Sequence, residues 1–299
     1  MTEPAVEIRE LCKRFTGVTA LDCMNLTIPR HSVFALLGSN GAGKSTTLSL
    51  LVNLLQPTSG AACVLGKDSR KLNAKDFQRI GYVSEDRRLP DWLTGRQFLD
   101  FLRPLYPDWD KDFEDRLIES LDLPLNRGLK SMSRGEKMKI RLLSSMAYRP
   151  RLLILDEPFS GLDPVVRDEL SGALLELTGD SDWTVILASH DVEETERLSD
   201  RVGILHAGHL ILDGGVEEIL TSHQQVTVRF TAPPSGVLRG VFNWQADGPM
   251  AVYIDPMFDP ESCRAKLSAL GTVQSMEARP LSLREIFVVH AKAKRRVEG

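Results

Sequence analysis

A glycine-rich segment at positions 38–45 constrains this chain more than any other feature. The apolar run at 32–37 predicts a buried strand, and from Lys44 onward apolar residues recur with the period of a helix. A strand that enters a helix through glycines presents successive backbone N–H groups to a phosphate chain. Lys44 can then reach the β and γ phosphates, and Ser45 can bind Mg²⁺. The predicted phosphate-binding residues are Gly38, Ser39, Asn40, Gly41, Ala42, Gly43, Lys44, Ser45 and Thr46.

A second apolar run, at 152–155, ends in two carboxylates, Asp156 and Glu157. An acidic pair at a strand end is by itself more often a solvated turn. Beside a phosphate-binding loop it indicates nucleotide hydrolysis, because Asp156 can hold Mg²⁺ and Glu157 can polarise an attacking water. We therefore predict Lys44 and Glu157 as catalytic residues, and Ser45 and Asp156 as metal ligands.

Strands and helices alternate along the first 222 residues in the order typical of a parallel, doubly wound α/β sheet. Further strands are predicted at 184–188 and, as a closing hairpin around Ala207 and Gly208, at 202–205 and 209–212. A helix is predicted at 164–177. Alternating apolar residues before position 29 predict an antiparallel sheet, and helical periodicity from about 86 to 150 predicts an inserted helical subdomain.

The pattern changes after about position 222, and we predict a small α+β domain at 224–299. Strands are predicted at 226–230 and 250–254, and helices at 260–270 and 282–291. This part has no cluster of histidines, cysteines or carboxylates at ligand spacing. We therefore expect an accessory domain that carries no chemistry of its own.

Composition narrows the possible functions. The net charge of −4 lacks the basic footprint that sequence-independent nucleic-acid binding requires, so no nucleic-acid partner is expected. The four cysteines form no CxxC pair and have no histidine at zinc-ligand spacing, so they suggest neither a metal site nor a disulfide framework. No apolar stretch is long enough to cross a bilayer, so a membrane role needs a partner.

The segment Ser133-Arg134-Gly135-Glu136-Lys137 lies between the phosphate loop and the carboxylate strand. With those two motifs it makes residues 1–222 resemble the nucleotide-binding subunit of an ABC transporter, a P-loop NTPase cassette, whose LSGGQ signature stands at this place. The resemblance implies that Ser133 and Gly135 bind the γ-phosphate of ATP held by the opposite subunit, through a hydroxyl and amides at a helix N-terminus.

The resemblance also assigns roles to five positions that follow in the family's order. It implies that Phe15 stacks on adenine, that Glu85 stands at the Q-loop beside Mg²⁺, and that Asp163 belongs to the D-loop at 160–163. His190 would sense the γ-phosphate, and Glu157 would be the general base. ATP and Mg²⁺ are the implied ligands.

Three positions depart from the family's pattern. Arg134 replaces the first glycine of the signature, Glu136 replaces its glutamine, and Glu85 replaces the glutamine of the Q-loop. A carboxylate near Mg²⁺ changes the local charge and can alter metal affinity or the timing of hydrolysis.

The function that follows is an ATPase that drives separate transmembrane permease subunits and pairs with a second copy of itself or a related ATP-binding subunit. It would lie in the cytoplasm, on the inner face of the membrane. Residues 106–110 and 282–287, with the signature and Glu85, resemble ATPases of bacterial exporters with ABC-2-type permeases. Two alternatives stay open: a soluble ABC ATPase that acts on ribosomes, DNA or cluster assembly, and a regulatory cassette with weak hydrolysis.

Overall fold

Two sheets organise the first two thirds of the chain. The computed structural model describes residues 3–84, 87–179 and 183–298. The strands of these sheets are β1 (Val6–Phe15), β2 (Val18–Ile28), β3 (Val33–Leu37), β4 (Ser59–Val64), β5 (Lys67–Asp68), β6 (Ile80–Ser84), β7 (Leu152–Asp156), β8 (Thr184–Ser189), β9 (Arg201–His206) and β10 (His209–Gly215).

The antiparallel sheet predicted for the N-terminus is confirmed. Its order is β2-β1-β4-β5, and β1 pairs antiparallel with both β2 and β4. The side chains of Val6, Ile8 and Leu11 face the core with almost no exposed surface. Val6 and Ile8 alternate with less buried residues, and a register shift between Ile8 and Leu11 returns Leu11 to the buried face, so one face of the sheet is buried and the other is left to solvent.

The parallel core sheet is also confirmed, with the order β10-β9-β3-β8-β7-β6. β3 pairs parallel with β8 and β9, and β7 pairs parallel with β6 and β8. β7 is buried along its whole length, which explains its continuous apolar run, since a parallel strand is covered on both faces. The predicted hairpin joins β9 to β10, and Ala207 and Gly208 both adopt positive φ in its turn.

The segment predicted as a helical subdomain contains three α-helices, two short 3-10 helices and no strand among its described residues. Thr94 and Gln97 form a capping box at the start of helix α3 (Gly95–Leu102), and Asp110 caps helix α4 (Lys111–Ser120). The buried carboxylate of Glu114 accepts hydrogen bonds that tie these helices together. The helices up to position 222 are α1 (Lys44–Leu51), α2 (Ala74–Phe77), α3 (Gly95–Leu102), α4 (Lys111–Ser120), α5 (Arg134–Met146), α6 (Pro164–Gly179), α7 (Val192–Leu198) and α8 (Val216–Ser222).

The C-terminal part is an antiparallel sheet with two helices, and its strand order is β12 (Phe242–Asp247), β13 (Met250–Asp255), β11 (Gln224–Phe230) and β14 (Val273–Pro280). The strands predicted at 226–230 and 250–254 and both helices are present, whereas the two remaining strands were not predicted. β14 is largely exposed and does not alternate, but β12 alternates between apolar and polar residues, so its pattern was a signal that sequence reasoning missed. The elements are β11 (Gln224–Phe230), β12 (Phe242–Asp247), β13 (Met250–Asp255), α9 (Pro260–Ser268), β14 (Val273–Pro280) and α10 (Leu283–Glu298).

Two histidines of this part meet although they are 67 positions apart in the chain. The Nε2 atoms of His223 and His290 are 3.0 Å apart. Burial lowers the pKa of both rings, that of His290 to about 4, so the pair is neutral at physiological pH. Because of this separation the sequence shows no sign of the pair, which lies in the part where no cluster of histidines was expected.

The chain divides into two compact units, Met1–Leu210 and Ile211–Gly299. The cassette boundary at 222 therefore stays a prediction, as does the accessory role of residues 224–299. Within the described residues, no helix combines the length and the apolar character needed to span a membrane.

Candidate active site

The glycine-rich loop joins the end of β3 to the start of α1, as predicted. Gly43 has a φ of 112°, and a Cβ at this position would lie 2.6 Å from the carbonyl oxygen of Ala20, so only glycine fits. Gly41 also has positive φ. Ser39 and Asn40 are exposed at the tip of the loop. The chain thus presents backbone N–H groups at a helix N-terminus, the arrangement that binds phosphate.

Lys44 lies at the centre of the site, with only 5% of its surface exposed. Its ammonium donates hydrogen bonds to the carbonyl oxygens of Gly38, at 2.7 Å, and Ser39, at 3.3 Å. It also forms an ion pair of 3.0 Å with Oε1 of Glu157. The phosphate loop and the end of β7 therefore meet at this ammonium.

Ser45 and Asp156 supply adjacent oxygen atoms. The Ser45 hydroxyl donates to Oδ1 of Asp156 at 2.9 Å, and the carboxylate is buried at the end of β7. Neighbouring ligands of an octahedral Mg²⁺ with bonds of 2.0–2.1 Å lie about 2.9 Å apart. Both the spacing and the hard oxygen donors therefore fit Mg²⁺.

Glu157 follows β7 and contacts a third segment. Glu157 adopts a φ of 51°, which is unusual for a residue other than glycine, and its backbone N–H donates to the carbonyl of Ala188 at 3.0 Å. Its Oε2 lies 2.7 Å from Nδ1 of His190, a contact in which the ring N–H donates and the carboxylate accepts. The backbone thus turns the carboxylate between Lys44 and His190.

The structure brings together five of the predicted residues by direct contacts: Lys44, Ser45, Asp156, Glu157 and His190. Phe15 ends β1 with 45% of its surface exposed, and the ammonium of Lys13 lies 4.9 Å from its ring centre. An exposed aromatic ring at a strand end is available for stacking. Glu85 lies outside the described residues.

The signature and the D-loop form a second group at two helix starts. The Ser133 hydroxyl caps α5 by accepting from the N–H of Glu136, whose carboxylate accepts from the N–H of Ser133. Gly135 is needed where α5 meets α6, because a Cβ would lie 2.8 Å from the side chain of Val166. Asp163 caps α6 by accepting from the N–H groups of residues 165 and 166.

Known proteins resemble this chain in sequence and in fold. A family profile described as ABC transporter matches residues 21–160. The uncharacterized ABC transporter ATP-binding protein YhaQ of Bacillus subtilis (strain 168) is 32% identical over 301 residues, which cover 94% of this chain and 96% of YhaQ. The chain belongs to the ABC transporter ATP-binding proteins.

Two further comparisons agree with this assignment. The bacitracin transport ATP-binding protein BcrA of Enterococcus faecalis is 28% identical and aligns over 75% of this chain and 74% of BcrA. The solved structure of cbiO1 from Clostridium perfringens, part of the ABC transporter complex cbiONQ, has 28% identity and a TM-score of 0.63 over 74% of this chain and 92% of cbiO1. The chain is an ATPase, and proteins of its family work with transmembrane permease components.

The departures from the family's signature have structural partners in this ABC ATPase. Glu136, which replaces glutamine, completes the cap of α5 and forms an ion pair of 2.7 Å with Arg127. The N–H of Ser133 keeps the pKa of the Glu136 carboxyl below its usual value. The guanidinium of Arg134 lies over Gly161 of the D-loop, where a Cβ would come within 2.0 Å of Nη1. Arg134 therefore connects the signature to the D-loop of the same chain.

Gly161→Ala is expected to lower the free energy of unfolding by about 1–2 kcal/mol. Part of this loss comes from the left-handed backbone at a φ of 62°, and the rest from displacing Arg134. In an Arg134→Ala background only the backbone part, about 1 kcal/mol, should remain. Urea unfolding of the four proteins measures the coupling.

Gly17→Ala is the matched control for this experiment. Gly17 has a φ of 78°, but no atom lies within 4 Å of the place that a Cβ would take, so its substitution tests the backbone cost alone. We expect its loss of stability to be the same with and without Arg134. Equal losses for Gly161→Ala in both backgrounds would show that Arg134 does not constrain the D-loop.

A network beside the active site was not predicted from the sequence. The guanidinium of Arg167, on α6, forms an ion pair of 3.0 Å with Asp191 and also lies 3.0 Å from Oε1 of Glu194. Asp191 directly follows His190 and caps α7. An aspartate shortly before Glu193 and Glu194 is a sequence signal for the start of a helix. Nothing in the sequence spacing indicates that Arg167 is its partner. The network ties the helix that follows the D-loop to the segment that carries His190.

Glu194 is expected to make the stability of this ABC ATPase depend on pH. The carboxyl is only 7% exposed, and burial, followed by the charge of Asp191, raises its pKa from 4.5 to about 7. Between these values the folded state holds a proton that the unfolded state has lost. Stability should therefore fall as pH rises from about 4.5 to 7, by at most about 1.4 kcal/mol per pH unit.

The substitution Glu194→Gln is expected to remove this decline, because an amide does not titrate. Urea unfolding at several pH values between 4 and 8 should show parent and variant diverging across the window. Glu193→Gln, at an exposed position of the same helical turn, is the control and should follow the parent. Parallel curves for the parent and Glu194→Gln would contradict the assignment.

Proposed function

We propose that this ABC ATPase binds ATP with Mg²⁺ in the loop of Gly38–Thr46 and hydrolyses it with Glu157 as general base, to drive an exporter permease. The observation that carries the proposal is the group of contacts in which Lys44, Glu157 and His190 converge on the phosphate loop. A carboxylate held between two cationic or hydrogen-bonding partners is positioned before substrate arrives. Such preorganisation is what a catalytic site requires.

Each residue of the cluster has a defined task in this proposal. The ammonium of Lys44 offsets the charge of the β and γ phosphates. Ser45 and Asp156 would hold Mg²⁺, which supplies charge neutralisation when bound. Glu157 accepts the proton of the attacking water, and His190 contacts the γ-phosphate while its Nδ1 holds the carboxylate in place.

The second group of residues supports a site completed by another subunit. The Ser133 hydroxyl accepts a hydrogen bond from Glu136, so its own O–H can donate to a phosphate. The amides that begin α5, including that of Gly135, add the positive end of the helix. We propose that they close on ATP held by a second copy of this chain or by a related ATP-binding subunit, together with Asp163 of the D-loop.

A groove between the core sheet and the helical segment is the proposed docking site of the permease. It has a volume of about 510 Å³ and is lined by the end of α1, β6, α3 and α5. Arg87, Arg88 and Arg141 give it a basic rim, and Tyr106 stacks on Tyr148 at 3.9 Å in its wall. These features fit a short helix with an apolar face and acidic side chains, carried by a cytoplasmic part of the permease.

The direction of transport rests on resemblance. The segment 106–110, similar to ATPases of exporters, begins at Tyr106 in the wall of this groove. The related BcrA is named as a bacitracin transport ATP-binding protein. We therefore propose an exporter with an ABC-2-type permease, which places the chain at the inner face of the cell membrane. No described residue favours the ribosomal, DNA-repair or cluster-assembly alternative.

The docking proposal is tested by affinity purification of the full chain from its native membrane in mild detergent. A transmembrane protein should co-purify with the parent and be lost from Leu54→Asp and from Arg88→Glu, two changes that place acid in the groove. Val237→Asp, at a similarly exposed apolar position of the C-terminal unit, should retain it. Retention by all three variants would overturn the groove as docking site, and capture of ribosomes or DNA instead would overturn transport.

A further inference from the structure

Two cysteines that are 11 positions apart in the sequence meet between neighbouring strands. The Sγ atoms of Cys12, on β1, and Cys23, on β2, are 3.4 Å apart, and the backbone N–H of Cys23 donates to the Sγ of Cys12 at 3.1 Å. Cys12 is buried and Cys23 is exposed. The pair is therefore packed on one side and accessible from solvent on the other.

A bulge in β2 brings a carboxylate to the same place. Leu11 pairs with Met24 and Lys13 pairs with Leu21, so two residues of β2, Asp22 and Cys23, stand opposite the single residue Cys12. In a regular strand two consecutive side chains point to opposite faces of the sheet. The bulge, with Cys23 at a φ of 48°, removes this alternation and directs both side chains toward Cys12.

The resulting donor set has the dimensions of a zinc site. One Asp22 carboxylate oxygen and the two Sγ atoms all lie within 4.8 Å of one another. Two thiolates at 2.3 Å from a tetrahedral Zn²⁺ lie about 3.8 Å apart, so the observed 3.4 Å needs only a small side-chain adjustment. Nε2 of His209 lies 3.8 Å from Oδ2 of Asp22, where it can become the fourth ligand or orient the carboxylate.

We propose that Cys12, Cys23 and Asp22 form a binding site for a thiophilic divalent cation, with Zn²⁺ as the best match. On binding, the two thiols release their protons to solvent, two Zn–S bonds and one Zn–O bond form, and no electrons are transferred. The mixed sulfur and oxygen donors distinguish this site from the all-oxygen pair Ser45 and Asp156, which suits Mg²⁺.

The bulge is connected to the phosphate loop, which gives the cation a structural consequence. The N–H of Asp22 donates to the carbonyl of Gly208 at 3.0 Å, and the N–H of Gly208 donates to the carbonyl of Ala42 at 3.0 Å. A cation that fixes Cys12 to Cys23 therefore fixes the strand that supports the phosphate loop. The binding itself does not depend on ATP hydrolysis, so it can be tested separately.

The test is zinc binding by the full chain, reduced and freed of metal, in excess Mg²⁺ to fill the oxygen site. Competition with a chromogenic chelator should show about one Zn²⁺ per chain, and Co²⁺ should give the visible absorption of a tetrahedral thiolate site. Cys12→Ser and Cys23→Ser should each lose the stoichiometric binding. His209→Ala should weaken it by roughly 10- to 100-fold if the imidazole orients Asp22, and by more if it is a ligand.

Two other cysteines are matched controls. Cys63, on β4 of the same sheet, and Cys263, in the C-terminal unit, lie outside the cluster, so Cys63→Ser and Cys263→Ser should bind Zn²⁺ like the parent. Circular dichroism is used to check that each serine variant is folded. The proposal is overturned if the reduced parent binds no Zn²⁺, if binding survives in Cys12→Ser and Cys23→Ser, or if it is lost with Cys63.

Discussion

Glu157→Gln is expected to slow ATP hydrolysis by about 10²- to 10⁴-fold while ATP still binds. The amide keeps the size of the side chain and one oxygen that can accept from Lys44, while its NH2 group replaces the oxygen that faces His190; these two residues contact the carboxylate at 3.0 and 2.7 Å. It lacks the charge that makes Glu157 a competent base. Because ATP then persists, two subunits bridged by two ATP molecules should elute as a dimer in size-exclusion chromatography with ATP and Mg²⁺.

The cap of α5 supplies a sharp control for this dimer. Aspartate caps helices as well as serine does, so Ser133→Asp should leave α5 intact. It would place a carboxylate against the partner's γ-phosphate, and the double variant with Glu157→Gln should therefore bind ATP as a monomer. Glu261→Gln, on the exposed surface of α9, should hydrolyse ATP like the parent. Parent-like hydrolysis by Glu157→Gln would remove Glu157 from the mechanism.

Lys44→Ala is expected to abolish measurable hydrolysis and to weaken ATP binding by about 10- to 100-fold. A hydrogen bond to a charged group contributes about 1.5–3 kcal/mol, and the backbone amides of the loop cannot replace the cation. The substitution also leaves the carboxylate of Glu157 without its ion pair of 3.0 Å. Titration calorimetry with ATP and a phosphate-release assay measure the two effects.

The exposed Lys75→Ala, on α2, is the matched control and should bind and hydrolyse ATP like the parent. Thermal unfolding of both variants separates loss of binding from loss of structure, since Lys44 is buried. If a folded Lys44→Ala protein kept the parent's affinity for ATP, the phosphates would have to bind outside the loop at Gly38–Ser45.

The features that could be predicted are those in which sequence neighbours are also neighbours in space. The phosphate loop depends on glycines, a lysine and a serine within eight positions, and the carboxylates directly follow an apolar strand. A parallel sheet then brings the ends of β3 and β7 to the same edge, so the contact between Lys44 and Glu157 follows from topology.

The features that could not be predicted depend on pairings across elements. Arg167 and Asp191 belong to different helices, and nothing in either segment indicates the other. The bulge opposite Cys12 depends on a register that alternation alone does not fix. The roles of all the predicted site residues, those brought together by direct contacts included, stay predictions, because they concern a nucleotide, a metal ion or a second subunit.

The contact between Arg134 and Gly161 bears on how related chains evolve. The arginine occupies the space in which a Cβ at position 161 would lie, so a side chain at 161 requires the guanidinium of Arg134 to move. Lineages that keep a long cation at 134 are expected to keep glycine at 161. Lineages with glycine at 134 are free to acquire asparagine at 161, because asparagine tolerates the left-handed backbone. In an alignment of this branch, substitutions at 161 should therefore be found where position 134 has already lost its arginine.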